Sequence, residues 1–205
     1  MLQPISVLTG DMIGSTSLPT GFLDRAFLAL EGAAKTIADL QGADTIFSRS
    51  RGDGWQLVVI QLQIGIRAAL ICQAALRSED RLLSSRIGLA EGNADLSGIS
   101  NLNSAIGEVF IRSGRSLDEV SGPSRMRHDA GGAIDAVMRL SDRLAQGWTQ
   151  VQATAAFHLL NPSRPTRKKV SEGLGVSRQA VDKTAHSAHL PTIEDALELI
   201  EHKVQ

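Results

Sequence analysis

Tyrosine is absent, and phenylalanine and tryptophan bring the aromatic share to only 3% of 205 residues. A chain so poor in rings offers few platforms on which the bases of a single strand could stack. There is one cysteine, Cys72, inside the apolar run Ala68–Cys72, so no internal disulfide is available and a buried helical thiol is expected. No CxxC, HExxH or Ser-His-Asp order occurs, which leaves zinc and triad-hydrolase chemistry without support. Neither sign of charge dominates: the net charge is −1, unlike that of a chain that coats nucleic acid or lies on a membrane surface. No apolar run approaches the roughly 18–20 residues of a membrane span. The N-terminus lacks a basic region and runs straight into a strand, so no signal peptide is read and a cytoplasmic location is expected. Against these absences stand 42% hydrophobic and 21% charged residues, the make-up of an ordinary folded protein of one large or two small domains.

Two stretches carry carboxylates at predicted turns. In Val7-Leu8-Thr9-Gly10-Asp11-Met12-Ile13-Gly14-Ser15-Thr16 an apolar run ends on Asp11 and opens into small residues. In Arg49-Ser50-Arg51-Gly52-Asp53-Gly54-Trp55 the Gly-Asp-Gly triplet separates two apolar runs and reads as a β-hairpin turn. Carboxylates on neighbouring strand ends can share hard divalent cations, Mg²⁺ or Mn²⁺. The N–H groups of Met12, Ile13, Gly14, Ser15 and Thr16 could cradle the phosphates those cations neutralise.

Between these stretches Thr20 reads as the N-cap of a helix through Gln41, with Gly42 as its stop. Strands follow at about 44–50 and 55–61, then a helix over 64–77 and a strand over 85–91. Residues 92–104 read as loop. A third helix begins near Ala105, with Ile106, Val109, Phe110, Ser113, Leu117 and Val120 on one face. The order β-α-β-β-α-β-α predicts an α+β, ferredoxin-like or palm domain over 1–130, with helices on one face of a sheet. A connecting helix over 131–148 and an all-α domain over 149–205 complete the chain. His128, beside Asp129, reads as an exposed loop histidine, and Glu91 as a strand-end surface residue.

Within the last domain, Gly173-Leu174-Gly175 ends one helix, Val176 is apolar and Ser177 can cap the next, the arrangement of a helix-turn-helix. Arg178, Gln179 and Lys183 then lie on the exposed side of a recognition helix over 177–189, with Ala180 and Val181 turned inward. Lys168 and Lys169 precede the turn. Arg164, Arg167, Lys168, Lys169, Arg178 and Lys183 outnumber Glu172 and Asp182 by four, a patch suited to the phosphates of duplex DNA. Glu194, Asp195, Glu198 and Glu201 cancel that excess in the whole chain. The same geometry serves in protein contacts, so both uses remain open.

The ordered set of Asp11, Gly52-Asp53-Gly54, Arg86-Ile87-Gly88-Leu89-Ala90-Glu91-Gly92 and Gly107 to Leu117 resembles the catalytic domain of class III nucleotide cyclases. With Thr9-Gly10-Asp11, Gly54-Trp55-Gln56 and the C-terminal helix-turn-helix, the chain resembles most the SatD-like family of small bacterial proteins. The cyclase resemblance implies a two-metal clamp at Asp11 and Asp53, a base-selecting role for Arg49, a transition-state role for Arg115, a purine nucleoside triphosphate as ligand and a homodimer. Two positions depart from the pattern: Ile111 stands where an asparagine is expected, and Ser104 or Ala105 where an acidic residue is expected. Three functions follow as expectations: a nucleotide-responsive DNA-binding regulator, an active nucleotidyl cyclase or transferase, and a non-catalytic adaptor.

Overall fold

The structure, a computed structural model, describes residues 1–161 and 166–202. Five strands form one sheet: β1 (Leu2–Met12), β2 (Ile46–Arg49), β3 (Gly54–Val59), β4 (Ser85–Asp95) and β5 (Met126–His128), in the order β2-β3-β1-β4-β5. All neighbours are antiparallel except β4 and β5. Eight α-helices accompany them among the described residues: α1 (Phe22–Gln41), α2 (Gly65–Glu79), α3 (Glu108–Asp118), α4 (Gly132–Gln146), α5 (Gln150–Leu159), α6 (Arg167–Leu174), α7 (Arg178–Ser187) and α8 (Leu190–Glu201).

Alternation along β1 sorts the core into two layers. Leu8 and Met12 join Trp55, Leu57, Ile87 and Leu89 beneath α1 and α2. Ile5 and Val7 join Val58, Ala90, Val109 and Phe110 beneath α3. Helices therefore cover both faces, not the single face predicted. Gly88 shows how close α3 comes: a Cβ there would lie 2.3 Å from the Leu117 nitrogen and the Ser113 oxygen, so only hydrogen fits.

Several boundaries differ from expectation. Gly21, not Thr20, stands at the start of α1, and the Thr20 side chain makes no cap. The β4 ladder continues through Gly92–Asp95 because β1 is long enough to pair it down to Leu2. Of the rest of the predicted 92–104 loop, 96–101 is irregular and Leu102–Ser104 forms a 3-10 turn capped by Asn101. Ile106 precedes α3 and is 91% exposed, off the apolar face assigned to it. Strand β5 was not anticipated; three residues flanked by arginine and aspartate carry no readable period. Its last residue, His128, is buried rather than in an exposed loop. The His128 side chain lies 3.5 Å from Glu91 and 3.3 Å from Asp129.

Helix α2 is buried along all of Gly65–Leu76, where the periodicity indicated one apolar face. The cause is α5, which packs against its outer side. Apolar residues of α5 to α8, including Ala156, Val170, Val181, Leu190 and Leu197, belong to the same cluster as α1 and α2. Polar ties reinforce this. The Trp148 indole donates to the Ala188 carbonyl at 2.9 Å, and Arg67, buried in α2, grips Glu201 of α8 at 2.6 and 2.8 Å. Thr166 and Ser177 cap α6 and α7 through their side-chain oxygens, and Gly175 ends α6.

Candidate functional site

The register of the central strand fixes the site. Asp11 stands opposite Gly54 of β3 on one side and Arg86 of β4 on the other. Gly52, at φ 76°, turns the hairpin as the Gly-Asp-Gly triplet predicts. Asp53 then sits directly beside the end of β1, its carbonyl accepting from the Met12 N–H at 3.3 Å. Asp11 and Asp53 are thus brought together at adjacent strand ends. Asp11 is held by Arg86, whose Nε donates to Oδ1 at 2.9 Å and whose Nη2 donates to Oδ2. That bond raises the guanidinium above its ordinary range, outweighing partial burial, which lowers it. The Ser15 hydroxyl donates to Asp53 Oδ2.

The loop after Asp11 is only partly a cradle. The Met12 and Ile13 amides are taken by the carbonyls of Asp53 and Ser84, at 3.3 and 2.9 Å. They belong to the strand margin and are not free for phosphate, contrary to expectation. The amides of Gly14, Ser15 and Thr16 make no such bond among the described residues. Beside them opens a cleft of about 640 Å³, lined by Met12–Gly14, Arg86, Arg125, Gln146 and the turn Val120–Ser124.

Two expected ligands lie elsewhere. Arg49 pairs with Trp55 in the ladder and so shares its face. Its guanidinium stacks 3.7 Å over the Phe27 ring and lies 3.4 Å from Asp24, on the α1 side of the sheet. Asp11 falls on the opposite face, with Thr9, whose hydroxyl meets that of Ser113 on α3 at 2.7 Å. Arg115 is exposed on α3 and makes no ion pair with Asp11 or Asp53 among the described residues. Two residues without an assigned role enter instead, Arg86 and Arg125. Arg86 was legible as a cation two residues before Gly88; Arg125 gave no signal.

The donor chemistry fits a hard cation in one way. No three His, Cys, Asp or Glu side chains converge to hold a metal among the described residues. Asp11 and Asp53, if both ligated a cation, would supply two carboxylates. That suits Mg²⁺ or Mn²⁺, which keep waters and take up substrate phosphates, better than a metal that needs a full protein cage.

In the C-terminal helices, Lys168 and Arg178 are 78% and 73% exposed at their side chains, and Lys169, Gln179 and Lys183 are exposed too. Val181 packs inward, but Ala180 is exposed, one turn from Thr184 on an apolar groove between α5 and α7. Asp182 is ion-paired to Arg167 and lies 3.9 Å from Arg178. The Arg167 bond, first among the causes, lowers the Asp182 pKa. Arg164, counted in the basic patch, lies outside the described residues.

No known protein family matches the sequence, and no curated protein matches it. Solved structures do resemble it in shape. The guanylyl cyclase Cya2 is 17% identical over 64% of this chain and 80% of its own, with a TM-score of 0.45. A bacterial light-regulated adenylyl cyclase is 14% identical over 62% of this chain and 76% of its own, with a TM-score of 0.46. At these values the likeness is one of overall shape, and the site's chemistry rests on its own residues. Among the described residues no helix is long and apolar enough to cross a membrane.

Proposed function

We propose that the Asp11–Asp53 end of the sheet binds a purine nucleoside triphosphate with Mg²⁺ or Mn²⁺, and that α6 and α7 bind duplex DNA, making a nucleotide-responsive regulator. One observation carries the nucleotide half. What supports it is that Asp11 and Asp53 stand at adjacent strand ends, near the Gly14–Thr16 amides, which make no backbone bond among the described residues, and a cleft that Gly14 and Arg86 line. The cation, when bound, would neutralise phosphate charge and sharpen a hydroxyl nucleophile. Asp11 and Asp53 would hold it. Arg86 now neutralises Asp11, so cation binding there exchanges one charge partner for another. The guanidinium so released faces the cleft where phosphates would lie.

The cyclase-like reading is kept to binding because the chain supplies neither an amide at Ile111 nor a carboxylate at Ser104, and Arg115 points outward within a single chain. A homodimer, as the family resemblance implies, is the arrangement in which an outward Arg115 would serve a neighbouring copy. Turnover is tested with Mg²⁺ or Mn²⁺ and ATP or GTP. The binding-only reading expects no cyclic or linear product; product that vanishes in Asp11→Ala would replace it with the active transferase. The regulatory half is tested by mobility shift on genomic fragments with and without nucleotide. An unchanged DNA affinity would separate the two halves, and no retention at low salt would leave α6 and α7 a protein-contact module.

A further inference from the structure

The two motifs that meet at the strand end pair residue by residue: Thr9, Gly10 and Asp11 of β1 stand opposite Gln56, Trp55 and Gly54 of β3. On the α3 face, where the Asp11 side chain leaves the strand, the Gln56 amide donates to the Thr9 hydroxyl at 3.2 Å. On the other face the Trp55 indole lies across Gly10. A Cβ there would come within 2.7 Å of the indole nitrogen, so only hydrogen leaves room for the ring. The indole N–H donates to the Ser85 hydroxyl at 2.9 Å. That hydroxyl lies 2.6 Å from the Asp11 carbonyl and 2.8 Å from the Arg86 carbonyl, and its single proton serves one of them at a time. Gln73 of α2 holds the Ser85 main chain in turn: its amide donates to the Ser85 carbonyl at 2.6 Å, and its side-chain oxygen accepts the Ser85 N–H at 3.4 Å. Trp55, Ser85 and Gln73 are all buried. A buried polar chain adds little net stability, but once its members are satisfied it fixes one arrangement. What it fixes here is the main chain of Asp11 and Arg86, the two residues of the ion pair at the strand end.

We infer that Trp55 and Ser85 are positioning residues for the cation that Asp11 would hold: from behind the strand they set the direction in which its carboxylate leaves β1. The inference rests on the cation-and-nucleotide reading of the Asp11–Asp53 end. It also gives a task to Gly10 and Trp55, which flank the carboxylates in both motifs: Gly10 lets the indole reach Ser85, and the indole orients the hydroxyl. A carboxylate whose main chain is already pinned has less freedom to lose on taking a cation. Loss of such an outer partner costs about tenfold or more in cation affinity.

The test titrates Mg²⁺-GTP and Mg²⁺-ATP into the full chain by calorimetry and follows the indole N–H resonances of its two tryptophans, Trp55 and Trp148, assigned with Trp148→Phe. In wild type the ligand is expected to move the Trp55 resonance and leave in place that of Trp148, whose indole is bonded to Ala188 among the C-terminal helices. Ser85→Ala removes one oxygen, and an unshifted Trp148 resonance shows that the variant is folded. It should lower affinity about tenfold and, at saturating ligand, abolish the ligand-dependent movement of Trp55. Trp55→Phe, which loses the indole N–H and keeps Ser85, should weaken binding in the same direction. Movement of Trp55 that persists in Ser85→Ala reports proximity alone. Wild-type affinity in both variants, with only the denaturant midpoint lowered, reports a structural role alone. Either result overturns the positioning role while wild-type binding keeps the nucleotide reading. A wild type that binds neither Mg²⁺-nucleotide overturns that reading, and the positioning role with it.

Discussion

At the scale of single residues, the strand end is decided by who holds each charge. Asp11 is pinned by Arg86, Asp53 by Ser15, and Asp142 is buried under the 121–125 turn. Burial, the largest cause, raises the Asp142 pKa despite the bonds from the Arg125 amide and Gln146. The native state therefore holds this proton to higher pH than the unfolded chain does. Its contribution to stability is full below the ordinary carboxylate range and is lost as pH rises through the raised native value. Asp142→Asn should flatten that part of the stability profile, so melts of variant and wild type should diverge in the variant's favour as pH rises from about 4. A constant difference across the range would contradict it. Gly88→Ala forces a methyl onto the α3 backbone and should cost about 1–3 kcal/mol by chemical denaturation. An unchanged midpoint would mean that α3 yields freely. The Gly52-Asp53-Gly54 turn was legible because hairpin chemistry is local. The Asp11–Arg86 pair was not, because it depends on strand register between residues 75 apart. Arg49 could have been placed correctly: it stands opposite Trp55, and period-two alternation sends both to the apolar face.

At the scale of elements, α7 carries the DNA half of the reading. Ser177 caps it, and Arg178 and Gln179 occupy its exposed first turn, where a recognition helix reaches base edges. Arg178→Ala should cost roughly 1–3 kcal/mol on a cognate site and little on random DNA. Lys168→Ala should weaken both alike and lower the salt slope by about one. Equal losses from the two substitutions on every sequence would remove specific reading from α7. The break between α6 and α7 was legible from Gly175 and the Ser177 cap. What the sequence hid was the outer side of α2, since an amphipathic pattern cannot tell water from a second helix. Strand β5 was hidden by its brevity, and the extension of β4 by a partner strand remote in sequence.

At the scale of the whole molecule, the C-terminal helices share a core with the sheet's helical layer, and the buried Arg67–Glu201 pair ties them together. Removing one member of such a pair strands the other's charge and costs about 3–5 kcal/mol. Arg67→Ala should therefore lower the stability of the entire chain, seen as one cooperative transition at a reduced denaturant midpoint. Two transitions, with only one displaced, would show two independent domains. The central claim concerns the other end of the sheet, where two strand ends bring Asp11 and Asp53 together. Its most direct test is calorimetric titration of Mg²⁺-GTP and Mg²⁺-ATP into wild type, Asp11→Asn and Asp53→Asn. The account predicts cation-dependent binding by wild type that either substitution weakens at least about tenfold. Equal affinity in all three proteins, or binding indifferent to the cation, would contradict it.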